Sequence, residues 1–252
     1  MIRLSVNVNK VATLRNSRGG DVPSVLRAVE TCLDAGAPGI TVHPRADERH
    51  IRRADAYHIA ALLKSWRRRT GRDVEFNIEG DPRPDLIDLV LEVRPEQCTL
   101  VPVVPGEITS QAGWRPDTPV EALGRVVRTL REAGVRVSLF VDPEEAAVAW
   151  AARLGGDRVE LYTEPFARAF ARGEADGRAS VARFAAAADA AHARGLGVNA
   201  GHDLDLDNLR LFRGLPHLDE VSIGHALISH ALWVGLDRAV RDYLDVLGSR
   251  EK

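Results

Sequence analysis

The sequence predicts an α/β protein built as a (β/α)8 barrel, and three observations carry that prediction. Eight short runs rich in Val, Ile and Leu alternate with longer amphipathic stretches along the 252 residues. The longer stretches repeat their apolar residues with helical period, and several end in Gly, the residue that closes helices in a left-handed conformation. Strand, helix and turn recur at roughly 30-residue spacing, the length of one βα unit. Eight units in a chain of this length suit a closed barrel. An open doubly wound sheet is disfavoured because "NVNKVATLRNSRGG", after the first run, lacks the G-x-G-x-x-G that would place a dinucleotide there.

Taken in order, "RLSVNV" (3–8) is the first strand, and "VPSVLRAVETCLDAG" (22–36) is a helix closed by its Gly. "GITVH" (39–43), "VEFNIE" (74–79) and "QCTLVP" (97–102) are the next three strands. The connection at 101–119 is rich in Pro and Gly and carries Trp114, as expected of a lid folding over a site. "PVEALGRVVRTLREAG" (119–134) is the next helix, followed by strands "RVSLFV" (136–141) and "RVELYT" (158–163). "EPFARAFARGEADGRAS" (164–180) reads as one extra helix, serving as a surface connection or subunit contact. "LGVNAG" (196–201) and "EVSIGH" (220–225) complete the set. With no linker or low-complexity segment, residues 1–252 are expected to form a single domain.

Composition narrows the function. The chain is 45% hydrophobic and 28% charged with a formal net charge of -2, which gives no electrostatic reason to expect nucleic acid or an anionic membrane as partner. The basic stretch "WRRRTGR" (66–72) has no aromatic stacking platform and is expected to be a solvated helix end. Cys32 and Cys98 are too few for a disulfide framework or a cysteine zinc site, and they fit a reducing cytoplasm. No signal-like apolar segment follows Met1 and no apolar stretch approaches spanning length, so a cytoplasmic protein is expected.

A barrel of this kind carries its chemistry at the C-terminal ends of its strands. Asn7 and Asn9 lie near the end of the first, His43 ends the second, Glu79 the third, Gly201-His202 the seventh and Gly224-His225 the eighth. A lone histidine after a strand is usually a turn residue, and Glu79 alone is explained as a helix cap. Structural caps would be spread over both ends of the barrel, however, whereas a carboxylate and imidazoles gathered at one end read as acid/base machinery. "IGHALISHAL" (223–232) runs from a strand through Gly into a helix whose N-terminus suits a phosphate. Arg45 and His50 in "HPRADERH", with Arg18 near by, suggest a second anion site, since an arginine fork bonds two oxygens at once.

Lysine occurs only at 10, 64 and 252, which argues against a Schiff-base aldolase with its lysine on a late strand. The first strand has no His-x-His and the histidines lack ligand spacing to carboxylates, so no metal is expected. In "VNAGHDLDLDN" (198–208), a calcium loop counted from Asp203 would need Gly sixth and Glu twelfth, where the chain has Asn208 and Gly214. That stretch reads instead as a histidine at a strand end, with Asp205 and Asp207 at a helix start.

The blocks "VNVNKVATLRNSRGG", "GITVHPRADERHI", "FNIEG", "TLVP", "EITSQAGW", "VSLFVD", "VNAGHDL" and "VSIGHALI" run in order from residue 6 to 228. As a set they resemble the pyridoxine 5'-phosphate synthase family of vitamin B6 biosynthesis. The resemblance implies a TIM barrel with additional helices, a homo-octamer and no metal or organic cofactor. It implies condensation of 1-deoxy-D-xylulose 5-phosphate with 3-amino-2-oxopropyl phosphate to pyridoxine 5'-phosphate, inorganic phosphate and water. It makes His43 and Glu79 proton acceptors and His202 the proton donor. Asn7, Arg18, Asp203, Gly224 and His225 match the aminoketone phosphate site, and Arg45, His50 and Thr109 the deoxyxylulose phosphate site. This chain has Asn9-Lys10 where many members have Asp-His at deoxyxylulose-contacting positions. It has Asp203 where others have Gly, so that contact is expected from the backbone N–H, and "TSQAGW" where Thr-Thr-Glu-Gly-Gly is more familiar. A phosphosugar isomerase or epimerase on the same barrel, and a phosphate-metabolite binding protein, are the rival functions.

Overall fold

A computed structural model of the chain describes residues 1–103 and 110–248. In it eight strands close into one parallel barrel in sequence order. They are β1 (Arg3–Asn7), β2 (Gly39–Val42), β3 (Glu75–Gly80), β4 (Gln97–Leu100), β5 (Arg136–Val141), β6 (Arg158–Tyr162), β7 (Gly197–Gly201) and β8 (Leu218–Ile223). The ring is closed by pairing of β8 with β1, from Arg3 opposite Glu220 to Val6 opposite Ile223.

Alternation along each strand divides two environments. Leu4 and Val6, Ile40 and Val42, Ile78, Leu100, Leu139, Leu161 and Val221 belong to the apolar core beneath the helices. Inside the barrel stand Ser5, Thr41, Asn77, Glu79, Gln97, Thr99, Ser138, Glu160, Asn199, Glu220 and Ser222, all buried. Hydrogen bonds between strands that are not neighbours identify this inner face: Asn199 of β7 to Gln97 of β4 at 3.5 Å, and Ser222 of β8 to Glu79 of β3 at 3.4 Å. Such barrels are usually filled by branched apolar side chains. Here a polar lumen runs inside an apolar sleeve.

The helices are Asn9–Asn16, Val25–Ala35, Arg53–Thr70, Pro84–Val93, Val120–Glu132, Glu145–Leu154, Glu164–Arg172, Glu174–His192, Asn208–Phe212, His225–Val234 and Leu236–Gly248. The connections after β1, β6 and β8 each hold two, which accounts for the helices beyond one per strand. Among the described residues, no helix is long and apolar enough to cross a membrane.

Several expectations are adjusted. The single extra helix expected over 164–180 is broken at Gly173 (φ 151°, ψ 153°), a conformation outside the helical region. β8 starts at Leu218 and ends at Ile223, so Gly224 is the N-cap and His225 the first residue of the helix that follows. The arginine cluster is the last turn of Arg53–Thr70, where Arg67 meets Glu96 at 2.6 Å and Arg69 lies over the Trp66 ring at 4.8 Å. Trp114 anchors its connection to the barrel: its N–H donates to Phe140 O at 2.8 Å and its indole to Leu100 O at 2.9 Å. It packs on Trp150 and does not line the cavity described below.

Candidate active site

The C-terminal ends of the strands surround a cavity of about 300 Å³. It is lined by Asn7 at the end of β1, Asn9 and Lys10 beyond it, His43, Arg45 and His50 after β2, and Glu79 of β3. His202 and Asp203 after β7, and Gly224 and His225 after β8, close the ring. Arg18 is exposed and does not line this cavity. Thr109, with residues 104–108 of the expected lid, lies outside the described residues.

Short-range bonds fix the first wall. The Asn9 N–H donates to Asn7 Oδ1 at 3.0 Å, which leaves the Asn7 amide nitrogen to face Glu79 Oε2 at 3.4 Å. Asn9 Oδ1 in turn accepts the His43 N–H at 2.9 Å, tying the end of β1 to the end of β2. His43 Nδ1 stands 3.9 Å from Glu79 Oε2, and His43 Nε2, buried, has no hydrogen-bond partner among the described residues. Burial is the main cause of two opposed shifts. It carries His43 down to about 3, aided by the neighbouring His50 and the cations Arg45, Arg83 and Arg49, and pushes Glu79 up to about 8, aided by Glu220 and opposed by Ser222. Near neutrality the pair is therefore an uncharged imidazole beside a carboxyl poised to take or give a proton.

The second wall is cationic. His50 Nδ1 accepts the Ile51 N–H at 2.9 Å, so in the neutral ring Nε2 carries the hydrogen. Burial, with Arg45, Lys10 and Arg49, brings the His50 pKa down to about 4, which makes it a neutral donor beside the Arg45 guanidinium. Arg15, from the helix after β1, holds this loop: it pairs with Asp55 at 2.6 Å and donates to His50 O at 3.0 Å. Asn16 donates to the same carbonyl at 2.8 Å. Arg49 is paired with Asp47 at 2.6 Å.

Across the mouth, the chain turns sharply after β7. His202 (φ 85°) and Asp203 (φ 53°) both take left-handed backbone conformations. Thr163 donates to the carbonyls of Gly201, at 2.7 Å, and His202, and Asn208 donates to the Asp203 carbonyl at 3.0 Å. Of the two aspartates expected at the helix start, Asp205 accepts the N–H groups of Asp207 and Asn208 at 3.0 and 2.8 Å. Asp207, at the N-cap, makes no side-chain cap. The His202 ring stands edge-on to Tyr162 at 5.3 Å, with Nδ1 2.8 Å from Asp203 Oδ2. Gly224 lies against Asn7, where a Cβ would sit 3.1 Å from the Asn7 Cβ, and opens the helix His225–Val234 toward the cavity. Backbone N–H groups at such a start suit a phosphate.

Glu160 of β6 also lines the cavity, a residue that the strand ends do not reveal because it sits inside "RVELYT". Its signal was a charged residue at an inward register between Val159 and Leu161. Burial, then the neighbouring Glu79, holds its carboxyl well above the usual carboxylate range. It occupies the space over Gly201, where a Cβ would lie 2.3 Å from Glu160 Oε1. Ser222, Ser110 and Phe140 are further lining residues not foreseen. Among the described residues, no group of three or more His, Cys, Asp or Glu is arranged to hold a metal ion.

Similar folds occur in a thiamine phosphate pyrophosphorylase from Pyrococcus furiosus and a phosphoribosyl anthranilate isomerase from Thermotoga maritima. The first has a TM-score of 0.61 at 14% identity, covering 98% of this chain and 95% of that one. The second has 0.60 at 12%, covering 98% of each. At such identities the likeness concerns the fold. Closer in sequence are proteins named pyridoxine 5'-phosphate synthase. That of Bacteroides fragilis is 52% identical over 98% of this chain and 100% of its own length, and that of Leptospira biflexa 48% identical over 98% and 97%. A family model described as pyridoxal phosphate biosynthesis protein PdxJ matches residues 4–249. Matched from its first strand to its last helix, and sharing half its residues with full-length relatives, the chain belongs to the PdxJ family.

Proposed function

We propose that this chain is a pyridoxine 5'-phosphate synthase, condensing 1-deoxy-D-xylulose 5-phosphate with 3-amino-2-oxopropyl phosphate to pyridoxine 5'-phosphate, inorganic phosphate and water. The observation that carries the proposal is the opposed pair His43 and Glu79, facing one cavity with His202 and flanked by two walls suited to anions. The substrate amine adds to the deoxyxylulose carbonyl, and dehydration, loss of the deoxyxylulose phosphate and ring closure follow. Each of these steps moves a proton over a short distance. His43 and Glu79 act as acceptors and His202 as donor. The amine belongs to the substrate, so Lys10 serves as a cation and not as a Schiff base.

Asn7, Asp203, Gly224 and His225 take the aminoketone phosphate, at the start of the helix His225–Val234. Arg45 and His50 take the deoxyxylulose phosphate, with Asn9 and Lys10 beside them. Arg18 and Thr109 are carried by the family resemblance alone. The chain is further proposed to work as one domain, in the cytoplasm, as a homo-octamer. Exposed Leu14, Leu232 and Trp233, on two helices in contact with one another, support self-association.

The test is incubation of the purified protein with both substrates without added metal, following pyridoxine phosphate absorbance and phosphate release. Product formation that requires both substrates is expected. Conversion of either substrate alone would mark an isomerase or epimerase, and binding of both without product would overturn the proposal.

A further inference from the structure

We propose that the Asp203 side chain is a positioning residue for His202, accepting its Nδ1–H so that the ring is held in one orientation and proton traffic runs through Nε2. The inference deepens the proposed function and rests on its reading of His202 as proton donor. The family resemblance gives Asp203 a backbone role only, in phosphate binding. The carboxylate is a separate feature of this chain.

Geometry carries the inference. Asp203 Oδ2 lies 2.8 Å from His202 Nδ1, the distance of a charge-assisted hydrogen bond. The two adjacent residues meet this way on a turn where both backbones are left-handed, at φ 85° and 53°, where a side chain is disfavoured and Gly is not. Buried anchors hold the turn in that shape: Thr163, fully buried, donates to the His202 carbonyl, and Asn208, 2% exposed, donates to the Asp203 carbonyl. The backbone of the turn that carries the carboxylate is thus fixed by buried anchors. Tyr162 stands edge-on to the ring and restricts its tilt. The hydrogen bond from His202 keeps the Asp203 carboxyl below the usual carboxylate range, so an ionised acceptor faces Nδ1 at neutral pH. A carboxylate on one ring nitrogen selects the tautomer and directs the other nitrogen, as in carboxylate-oriented histidines generally.

The experiment uses the full chain with Asp203→Asn, Asp203→Gly and His202→Ala. It measures kcat, KM for each substrate, Tm, and ¹⁵N spectra of histidine-labelled protein. Gly relieves the backbone at this position, so Asp203→Gly is expected to fold with an unchanged or higher Tm. Both Asp203 variants are expected to lose about 10- to 100-fold in kcat with KM for both substrates within about twofold, the signature of a group acting through the proton donor. The His202 Nδ1 resonance is expected to lose its carboxylate-bonded shift in both. Wild-type kcat in Asp203→Gly, a loss confined to KM, or an unmoved Nδ1 resonance would each overturn the inference. Undiminished turnover in His202→Ala would instead reject the donor role itself, which separates that failure from failure of the Asp203 inference.

Discussion

At the N-terminal end of the barrel lumen, Glu75 is bonded by Arg136 and lies 3.8 Å from Arg3, which also reaches Glu220 at 3.7 Å. Arg136 continues to Gln97 at 3.0 Å, and Arg158 bonds Asn199 at 2.7 Å. At the C-terminal end, Glu79 and Glu160 are equally buried, but their hydrogen-bond partners are an amide and hydroxyls. No cation is among the groups that shift Glu79 or Glu160. The positive side chains there, Arg45 and Lys10, stand around the rim beside His50. The same residue types therefore serve two ends. At one end arginines are bonded into the lumen, and at the other no cation shifts the buried Glu79 and Glu160 carboxyls; Glu220, which burial pushes up to about 8 although Arg158 and Arg3 act against it, shows that burial outweighs a cation that does not bond the carboxyl directly.

Removing His202 is the strongest way to sharpen this contrast. His202→Ala is expected to lower kcat by about 10²- to 10⁴-fold while the Tm moves little, because the proposed proton donor is removed and no lumen charge is orphaned. Steady-state kinetics and thermal melting check it.

The carboxyl beside His43 gives a pH-dependent test. Glu79 rises from 4.5 to about 8 in the folded protein, so the fold binds that proton more tightly than the unfolded chain does. The stability attached to it is fully present below about 4.5 and is lost as pH rises through about 8. Glu79→Gln is expected to raise stability at high pH by up to about 5 kcal/mol, with the gain vanishing toward acid. Denaturant melts across the pH range read this, and the variant should lose turnover at every pH. A gain independent of pH would break the contrast.

At the other end the sign reverses. Arg136→Met leaves Glu75 without its bonded cation and is expected to cost about 2 kcal/mol, less than for a fully buried pair because Arg136 is 30% exposed. Turnover should stay within about twofold of wild type, since the change is confined to the structural end. A large loss of kcat with intact stability would show that the two ends are coupled. The smallest effect is expected at Ser138, whose buried hydroxyl has no hydrogen-bond partner among the described residues. Ser138→Ala should be neutral or stabilising by up to about 1 kcal/mol, with turnover unchanged.

The parts of the site legible in sequence were those at strand ends, where His43, Glu79, His202 and Gly224-His225 interrupt runs of apolar residues. Glu160 was passed over because it lies two residues before its strand ends, in a run that otherwise reads as core. Arg15 was hidden for a different reason. It acts at a distance, through Asp55 and the His50 carbonyl, and such a contact across 40 positions leaves no local pattern. The break at Gly173 was likewise missed, because helical residues on both sides mask a single residue at φ 151°.

By itself the sequence determined the eight-unit barrel, since alternating apolar runs and amphipathic helices bury their apolar faces together in few ways. It also determined which strand ends bear acid/base groups, and its motif order implied the family. Only the tertiary structure decided that the lumen is polar, because inward register depends on which strands face across the barrel. It alone decided which carboxylates meet a cation and which do not, because a proton's affinity is set by burial and neighbours from distant strands. And it alone set the Asp203 carboxylate on His202, through a turn held by Thr163 and Asn208.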